Sequence, residues 1–237
     1  MPSIILSVMI FLRKITLWRI KLRLVRFFPS KIDRFISEVP GLIHVGANDG
    51  GERDKYAKYG LGVLWIEPNP SVFTVLKKNI SHFSGQIAYQ RLITDRDNQQ
   101  YDFHIANNAG LSSSILQLKL HSELNPEVRY IRTIKMRSCT LTTLLKEQSI
   151  CVSDYPALIL DTQGSEMLVL QGAIDVLHLF WYVKIEVADF EAYEGCCQIS
   201  EVCAFMKIHG FYEVDRRKFA EHFSGGSYFD VLFKLNH

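Results

Sequence analysis

The sequence predicts a doubly wound α/β domain with a mostly parallel sheet, on three observations. After Pro40, short continuous apolar runs alternate with longer mixed segments, the pattern of buried parallel strands separated by helices. Near the C-terminus two apolar runs joined by a polar, Gly-rich stretch read as an antiparallel hairpin. A length of 237 residues, with 48% hydrophobic and 22% charged, suits one sizeable core and excludes a disordered or collagen-like chain.

Taken in order, the first element is a basic N-terminal segment, residues 1–38, ahead of the main domain at 39–237. Ile4 to Leu12 is apolar apart from Ser7, but far shorter than the ~20 residues of a membrane-spanning helix. Its basic residues follow the apolar run and no small-residue cleavage site appears, which argues against a secretory signal. From Ile15 to Phe28, Leu17, Trp18, Ile20, Leu22, Leu24, Val25 and Phe27 are interleaved with Arg and Lys. Two readings stand: a helix lying on an anionic bilayer, or a helix packed on the domain with its basic side solvated. Sedimentation with anionic liposomes at low salt separates them. The expected location is cytoplasmic, peripheral at the inner membrane surface under the first reading.

Strands are expected at Leu42–Val45, Val63–Ile66, Ile87–Ile93, Ala157–Leu160 and Tyr182–Val187, with the hairpin at Phe211–Val214 and Tyr228–Leu235. Asn69 and Pro70 predict the start of a helix whose apolar face is Val72, Phe73, Leu76 and Ile80. A second helix is expected from Ser165 to about Leu179. Between Asp95 and Leu141 the alternation breaks, so residues 96–140 read as an insertion over the rim, with strand-like pieces at Gln100–Ala106 and Tyr130–Arg137.

Charge argues against one class of partner. Seven bases (Arg13, Lys14, Arg19, Lys21, Arg23, Arg26, Lys31) precede the first acid, Asp33, and the remainder sets 20 bases against 25 acids. A mildly acidic body is a poor general nucleic-acid binder. Five cysteines without a C-x-x-C pair predict reduced thiols and no metal site.

The chemistry is expected where strand ends open into a crevice. Leu42-Ile-His-Val45 runs into Gly46-Ala-Asn-Asp-Gly-Gly51, where small residues let backbone approach a ligand. Trp65-Ile-Glu67 places a carboxylate 21 residues after Gly46, suited to the two ribose hydroxyls of an adenosine. A dinucleotide fingerprint has a second glycine where Asn48 stands, so the loop suits S-adenosylmethionine, which has no pyrophosphate, better than a nicotinamide cofactor. The buried run Leu158-Ile-Leu160 delivers Asp161, and a carboxylate there calls for a ligand, a cation or backbone donors. Glu166 either faces the substrate or favours the helix dipole.

These blocks resemble the FkbM family of methyltransferases. The resemblance rests on His44-Val-Gly-Ala-Asn-Asp-Gly50, Trp65-Ile-Glu-Pro-Asn-Pro70, Gly110-Leu-Ser-Ser-Ser114, Leu160-Asp-Thr-Gln-Gly-Ser-Glu-Met-Leu-Val-Leu-Gln-Gly-Ala173, and Ile185-Glu-Val187 through Tyr193-Glu-Gly195. It implies a Rossmann-like methyltransferase sheet with a reversed C-terminal strand, and O-methylation of a sugar, glycan or other small hydroxylated acceptor. By carry-over, Gly46, Ala47, Asn48 and Gly50 line the methionine part of the cofactor and Glu67 holds the ribose. Thr94 and Asp95 flank the adenine, and Asp161 and Gln163 lie beside the methyl. His44 stands where the family commonly has an acid; it either accepts from the cofactor's amino group or is satisfied by backbone.

Asp161 is the first candidate for general base, with Glu186 and His104 behind it. Alternation along the strand is taken to exclude an ion pair between Glu186 and Lys184, leaving Glu186 as a site residue or a buried structural carboxylate. His104, between Phe103 and Ile105, reads as solvent-facing. Ser112, Ser113 and Ser114 border the acceptor, and Arg129, Arg132, Lys135 and Arg137 either suit an anionic acceptor or form a solvated face. Two competing functions are a nicotinamide-dependent oxidoreductase and a non-catalytic membrane-surface or nucleic-acid adaptor.

Overall fold

The computed structural model describes residues 31–221 and 226–236. The segment Ile15 to Phe28, with its membrane reading, lies outside the described residues. Among those described, no helix is long and apolar enough to cross a membrane.

Among the described residues ten strands form two sheets: β1 (Gly41–Val45), β2 (Gly62–Ile66), β3 (Gln86–Tyr89), β4 (Leu92–Ile93), β5 (Gln100–Ala106), β6 (Tyr130–Cys139), β7 (Ala157–Leu160), β8 (Tyr182–Ala188), β9 (Phe211–Glu221) and β10 (Ser227–Leu235). The main sheet has the order β3-β2-β1-β7-β8-β10-β9. Its first five members are parallel, and β10 runs antiparallel to both β8 and β9. The hairpin therefore inserts its second strand into the sheet and leaves β9 at the edge. Composition follows that placement: Val231, Leu232 and Phe233 of β10 are buried, whereas most of β9 is exposed.

Helices α1 (Arg53–Lys58), α2 (Pro70–Ile80), α3 (His121–Leu124), α4 (Leu141–Glu147), α5 (Glu166–Gly172), α6 (Ile174–Leu177) and α7 (Ile199–Ile208) connect the strands. Asn69 caps α2 by accepting the Ser71 N–H (3.2 Å), and Leu76 and Ile80 are its buried positions. One core packs α4 to α7 on Ile43, Leu64, Leu158 and Ile185. The opposite face of the sheet, with Leu42, Val63, Trp65 and Ile159, is covered by α1, α2 and the 3-10 helix Lys31–Ser37. Ile32, Phe35 and Ile36 are buried in that layer. Lys184 of β8 is held there between Asp33 (3.2 Å) and Asp230 (3.3 Å), which ties the 3-10 helix to the sheet.

Three elements differ from expectation, the first being the hairpin strand Phe211–Val214, which runs on to Glu221. The predicted strand Ile87–Ile93 is two strands. The chain leaves the main sheet after Tyr89, and Leu92–Ile93 pairs with β6 in a small sheet of order β4-β6-β5. Leu92 and Ile93 are both buried, as two consecutive positions of a one-sided strand are not. The predicted helix Ser165 to Leu179 breaks at Ala173, and Gly172 beside the break packs on the Thr94 carbonyl so tightly that a β-carbon would stand 2.0 Å from its oxygen.

Candidate functional site

The chain winds from β1 outward to β3 in one direction and from β7 outward in the other, so the topological switch lies between the carboxyl ends of β1 and β7. A crevice opens there, enclosing about 590 Å³ of non-atom space that includes open solvent. Gly46, Asn48, Glu67, Ser113, Asp161 and Gln163, all singled out in the sequence, line it.

Backbone conformation sets this lining. Gly46 has φ +82° and rests on the Asp161 backbone; Asn48 (φ 45) and Gln163 (φ 55) also take left-handed conformations. Asn48 turns its backbone N–H onto Glu67 Oε2 (2.9 Å), and Glu67 Oε1 accepts the Asn69 N–H (2.7 Å). Each oxygen of this carboxylate thus keeps acceptor capacity for a ligand. Burial pushes Glu67 up to about 7 in spite of both N–H donors.

Asp161 leaves the end of β7 and its Oδ1 accepts from Gln163 Nε2 (2.6 Å). Burial raises its pKa to about 7; the Gln163 bond opposes the rise, and the charges of Glu166, Glu52 and Asp230 add to it. Gln163 Nε2 reaches Glu186 Oε1 at 3.4 Å, and Gln163 Oε1 accepts from Tyr193 OH (2.7 Å). Glu186 is held well above the ordinary carboxylate range by burial and by Asp161, Asp230 and Glu166. Among the described residues none of Glu67, Asp161 and Glu186 forms an ion pair, which favours a positively charged ligand.

Lys184 and Glu186 are two residues apart and share a face of β8, so alternation does not separate them. They stay unpaired with each other because Lys184 is drawn to Asp33 and Asp230. Glu186 lines a second, smaller cavity beyond Gln163.

Several predicted residues lie elsewhere. His44 is buried on the α1 side of the sheet, stacked on Trp65 (5.3 Å) and 3.4 Å from Tyr56 OH; burial lowers it to about 4, leaving it neutral. Ala47 is in the core beneath the loop, and Gly50 makes room for Leu76, which a β-carbon would approach to 2.7 Å. Thr94 is fully buried and donates to the Arg96 carbonyl (3.2 Å), while Asp95 accepts from Tyr101 (3.3 Å). Arg91, Leu92 and Ile93 line the crevice in their place, because the chain has crossed to the small sheet before Thr94.

Ser112 bonds to His121 Nε2 (2.9 Å) and Ser114 donates to the Gln163 carbonyl (2.8 Å), so both fasten loops and only Ser113 reaches the crevice. Glu166 accepts from the Thr162 N–H (2.8 Å), the Thr162 hydroxyl and the Gly164 N–H, holding the turn after β7. His104 is buried, not solvent-facing: it stacks on Tyr130 (4.8 Å) and bonds Thr133 and Gln117, because the rim loops fold back over β5.

Sequence reasoning missed Phe103, Leu111 and Ile115, which supply an apolar wall from the insertion. No local signal marks them, since ordinary core spacing looks the same. It also missed His121, whose Nδ1 lies 2.6 Å from Tyr228 OH and whose ring stacks on Tyr193 (5.1 Å). Among the described residues no group of three or more His, Cys, Asp or Glu side chains could hold a metal ion.

The profile of the FkbM methyltransferase domain matches residues 44–212. No curated protein sequence matches. Among solved structures, a Streptococcus pneumoniae protein assigned as a tRNA methyltransferase is similar at TM-score 0.47 and 9% identity, over 89% of this chain and 72% of that one. The magnesium protoporphyrin IX methyltransferase of Synechocystis PCC 6803, with bound S-adenosylmethionine, is similar at TM-score 0.43 and 9% identity (83% and 71% covered). M. capricolum TrmK, bound to S-adenosyl-homocysteine, is similar at TM-score 0.49 and 7% identity (85% and 66% covered). With most of its length under that one profile and with the sheet order described above, the chain belongs to the FkbM methyltransferase family and is an S-adenosylmethionine-dependent methyltransferase.

Proposed function

We propose that the protein methylates a hydroxyl of a small acceptor, a sugar, glycan or comparable hydroxylated molecule, and that Asp161 receives the hydroxyl proton. One observation carries the reading: Gly46, Asn48, Glu67, Asp161 and Gln163 converge on one crevice at the switch point. Its chemistry suits the cofactor, with carboxyls that among the described residues form no ion pair and can meet a sulfonium and an ammonium, and Glu67 acceptor capacity for ribose hydroxyls. In this reading Phe103, Leu111 and Ile115 hold the adenine, Glu67 the ribose, and Gly46, Asn48, Asp161 and Gln163 the methionine end.

Bound S-adenosylmethionine supplies an electrophilic methyl on a positively charged sulfur. The chain's own residues orient and desolvate. The loop after β1 and the turn after β7 bring an acceptor oxygen into line, and the apolar wall excludes water. Asp161 takes the proton at a carboxylate oxygen, and the Gln163 amide, held by Tyr193, keeps that carboxylate in place.

The family match removes the nicotinamide alternative. A non-catalytic adaptor on the same fold makes a separate prediction, that no nucleoside ligand binds. Thermal shift of the full chain with S-adenosylhomocysteine, NAD and NADP tests this, with stabilisation by the first alone expected. Methyl transfer by Asp161→Asn at the unaltered rate would remove Asp161 as base.

A further inference from the structure

Gln163 is a partition. Its left-handed backbone aims the side chain between two spaces, and its amide is held by Asp161 and Glu186 at one end and Tyr193 at the other. On one side is the crevice. On the other is a cavity of about 300 Å³, open to solvent, bounded by Val187 and Ala188 of β8, Ala192, Tyr193 and Cys197 of the following loop, and Tyr228 of β10. Gln163 lines both.

The second cavity has a distinct chemistry. Its walls are small apolar groups and two tyrosine rings; Phe190 (5.0 Å, edge-on) and Phe219 (5.9 Å, stacked) extend the aromatic surface from Tyr228. Two carboxyls, Glu166 and Glu186, line it. Glu166 is consumed by the Thr162 and Gly164 donors, whereas Glu186 has only the long 3.4 Å contact to Gln163. Among the described residues no lysine or arginine lines it. The basic side chains close by are engaged elsewhere, Lys119 with Glu191 and Lys184 with Asp33 and Asp230.

We propose that the cavity beyond Gln163 is the acceptor subsite, and that it selects uncharged hydroxylated acceptors against anionic ones. The proposal rests on the methyl-transfer reading above. A hydroxyl both donates and accepts, and the Glu186 carboxyl and Tyr193 hydroxyl offer partners for both. An added negative charge there would meet the Glu166 and Glu186 carboxyls in the cavity wall and Asp161 behind Gln163, and among the described residues none of these three forms an ion pair, the nearby Lys184 being held by Asp33 and Asp230. None of the basic stripe Arg129, Arg132, Lys135 and Arg137 lines this cavity; Lys135 is paired with Asp102 (3.4 Å) and Arg137 donates to the Asn98 carbonyl (3.2 Å).

The test uses the full chain saturated with S-adenosylhomocysteine and two probes of one ring, methyl β-D-glucopyranoside and methyl β-D-glucuronide, titrated by saturation-transfer NMR at pH 7. The glucoside is expected to bind at least about tenfold tighter than the glucuronide, the scale of one like-charge contact across a partly solvated cavity. Cys197→Phe, which fills the cavity, is expected to abolish glucoside binding while S-adenosylhomocysteine affinity stays within about twofold. Should that variant misfold, Glu186→Ala replaces it, with glucoside affinity expected to fall about fivefold or more.

Equal or tighter glucuronide binding overturns the proposal, as does glucoside binding that neither variant disturbs, or no glucoside binding by protein that holds S-adenosylhomocysteine. Failure to bind S-adenosylhomocysteine instead brings down the underlying methyl-transfer reading and the inference with it.

Discussion

Gly46, at the end of β1, lies so close to Asp161, at the end of β7, that a β-carbon on it would stand 1.8 Å from the Asp161 carbonyl oxygen. The two strand ends that frame the crevice therefore touch through backbone, and the contact also requires φ +82° at Gly46. Gly46→Ala meets a clash and a strained conformation together. Its expected cost is about 3 kcal/mol or more of stability, measured by urea denaturation. Calorimetry should show a loss of S-adenosylhomocysteine affinity of about tenfold or more.

Asp161 acts as a base only when ionised, and its pKa is raised to about 7. Methyl transfer should therefore climb with pH up to about 7 and level off above it. In Asp161→Asn, which keeps an oxygen for Gln163, that limb should vanish and kcat, measured at saturating cofactor, should fall by roughly 10²–10⁴.

Glu67 links pH to stability in the opposite sense from a salt-bridged acid. Its folded pKa, about 7, exceeds the ordinary 4.5, so the folded state holds its proton more tightly. The associated stability is fully present below the unfolded value and is lost as pH rises through about 7. In Glu67→Gln the stability difference between pH 5 and pH 8 should change by about 2–3 kcal/mol in that sense, whatever the cost of the altered hydrogen bonds. Chemical denaturation at the two pH values measures it, and an unchanged difference would contradict the burial of this carboxyl.

His44 works the other way. It is lowered from 6.5 to about 4 by burial, so it favours the folded state above 6.5 and costs stability as pH falls from there toward 4. His44→Phe should reduce the stability lost between pH 7 and pH 5 by about 2 kcal/mol. Because the ring faces Tyr56 and Trp65 and not the crevice, S-adenosylhomocysteine affinity should stay within about twofold. A large loss of affinity would restore His44 as a cofactor ligand.

Legibility in the sequence followed the range of the interaction. Glu67 and Asp161 were legible because each ends an apolar run, and a carboxylate there has few purely structural explanations. Ser112 and Ser114 share a motif with Ser113, but their hydroxyls were claimed by His121, across the loop, and by the Gln163 carbonyl, remote in the chain. Thr94 and Asp95 were misplaced because the exit from the main sheet after Tyr89 is dictated by pairing with β6, more than forty residues on.

The sequence by itself determined the strand-helix alternation, the reversed terminal hairpin, the glycine turn at Gly46 and the acids at two strand ends. Periodicity and local backbone preference are written over a few residues. Only the tertiary structure decided that His44 turns into the core, that the insertion contributes Phe103 and Ile115 to the crevice, and that Gln163 divides two cavities. Those outcomes depend on which distant segment wins the competition to bury each side chain, and that is settled by packing.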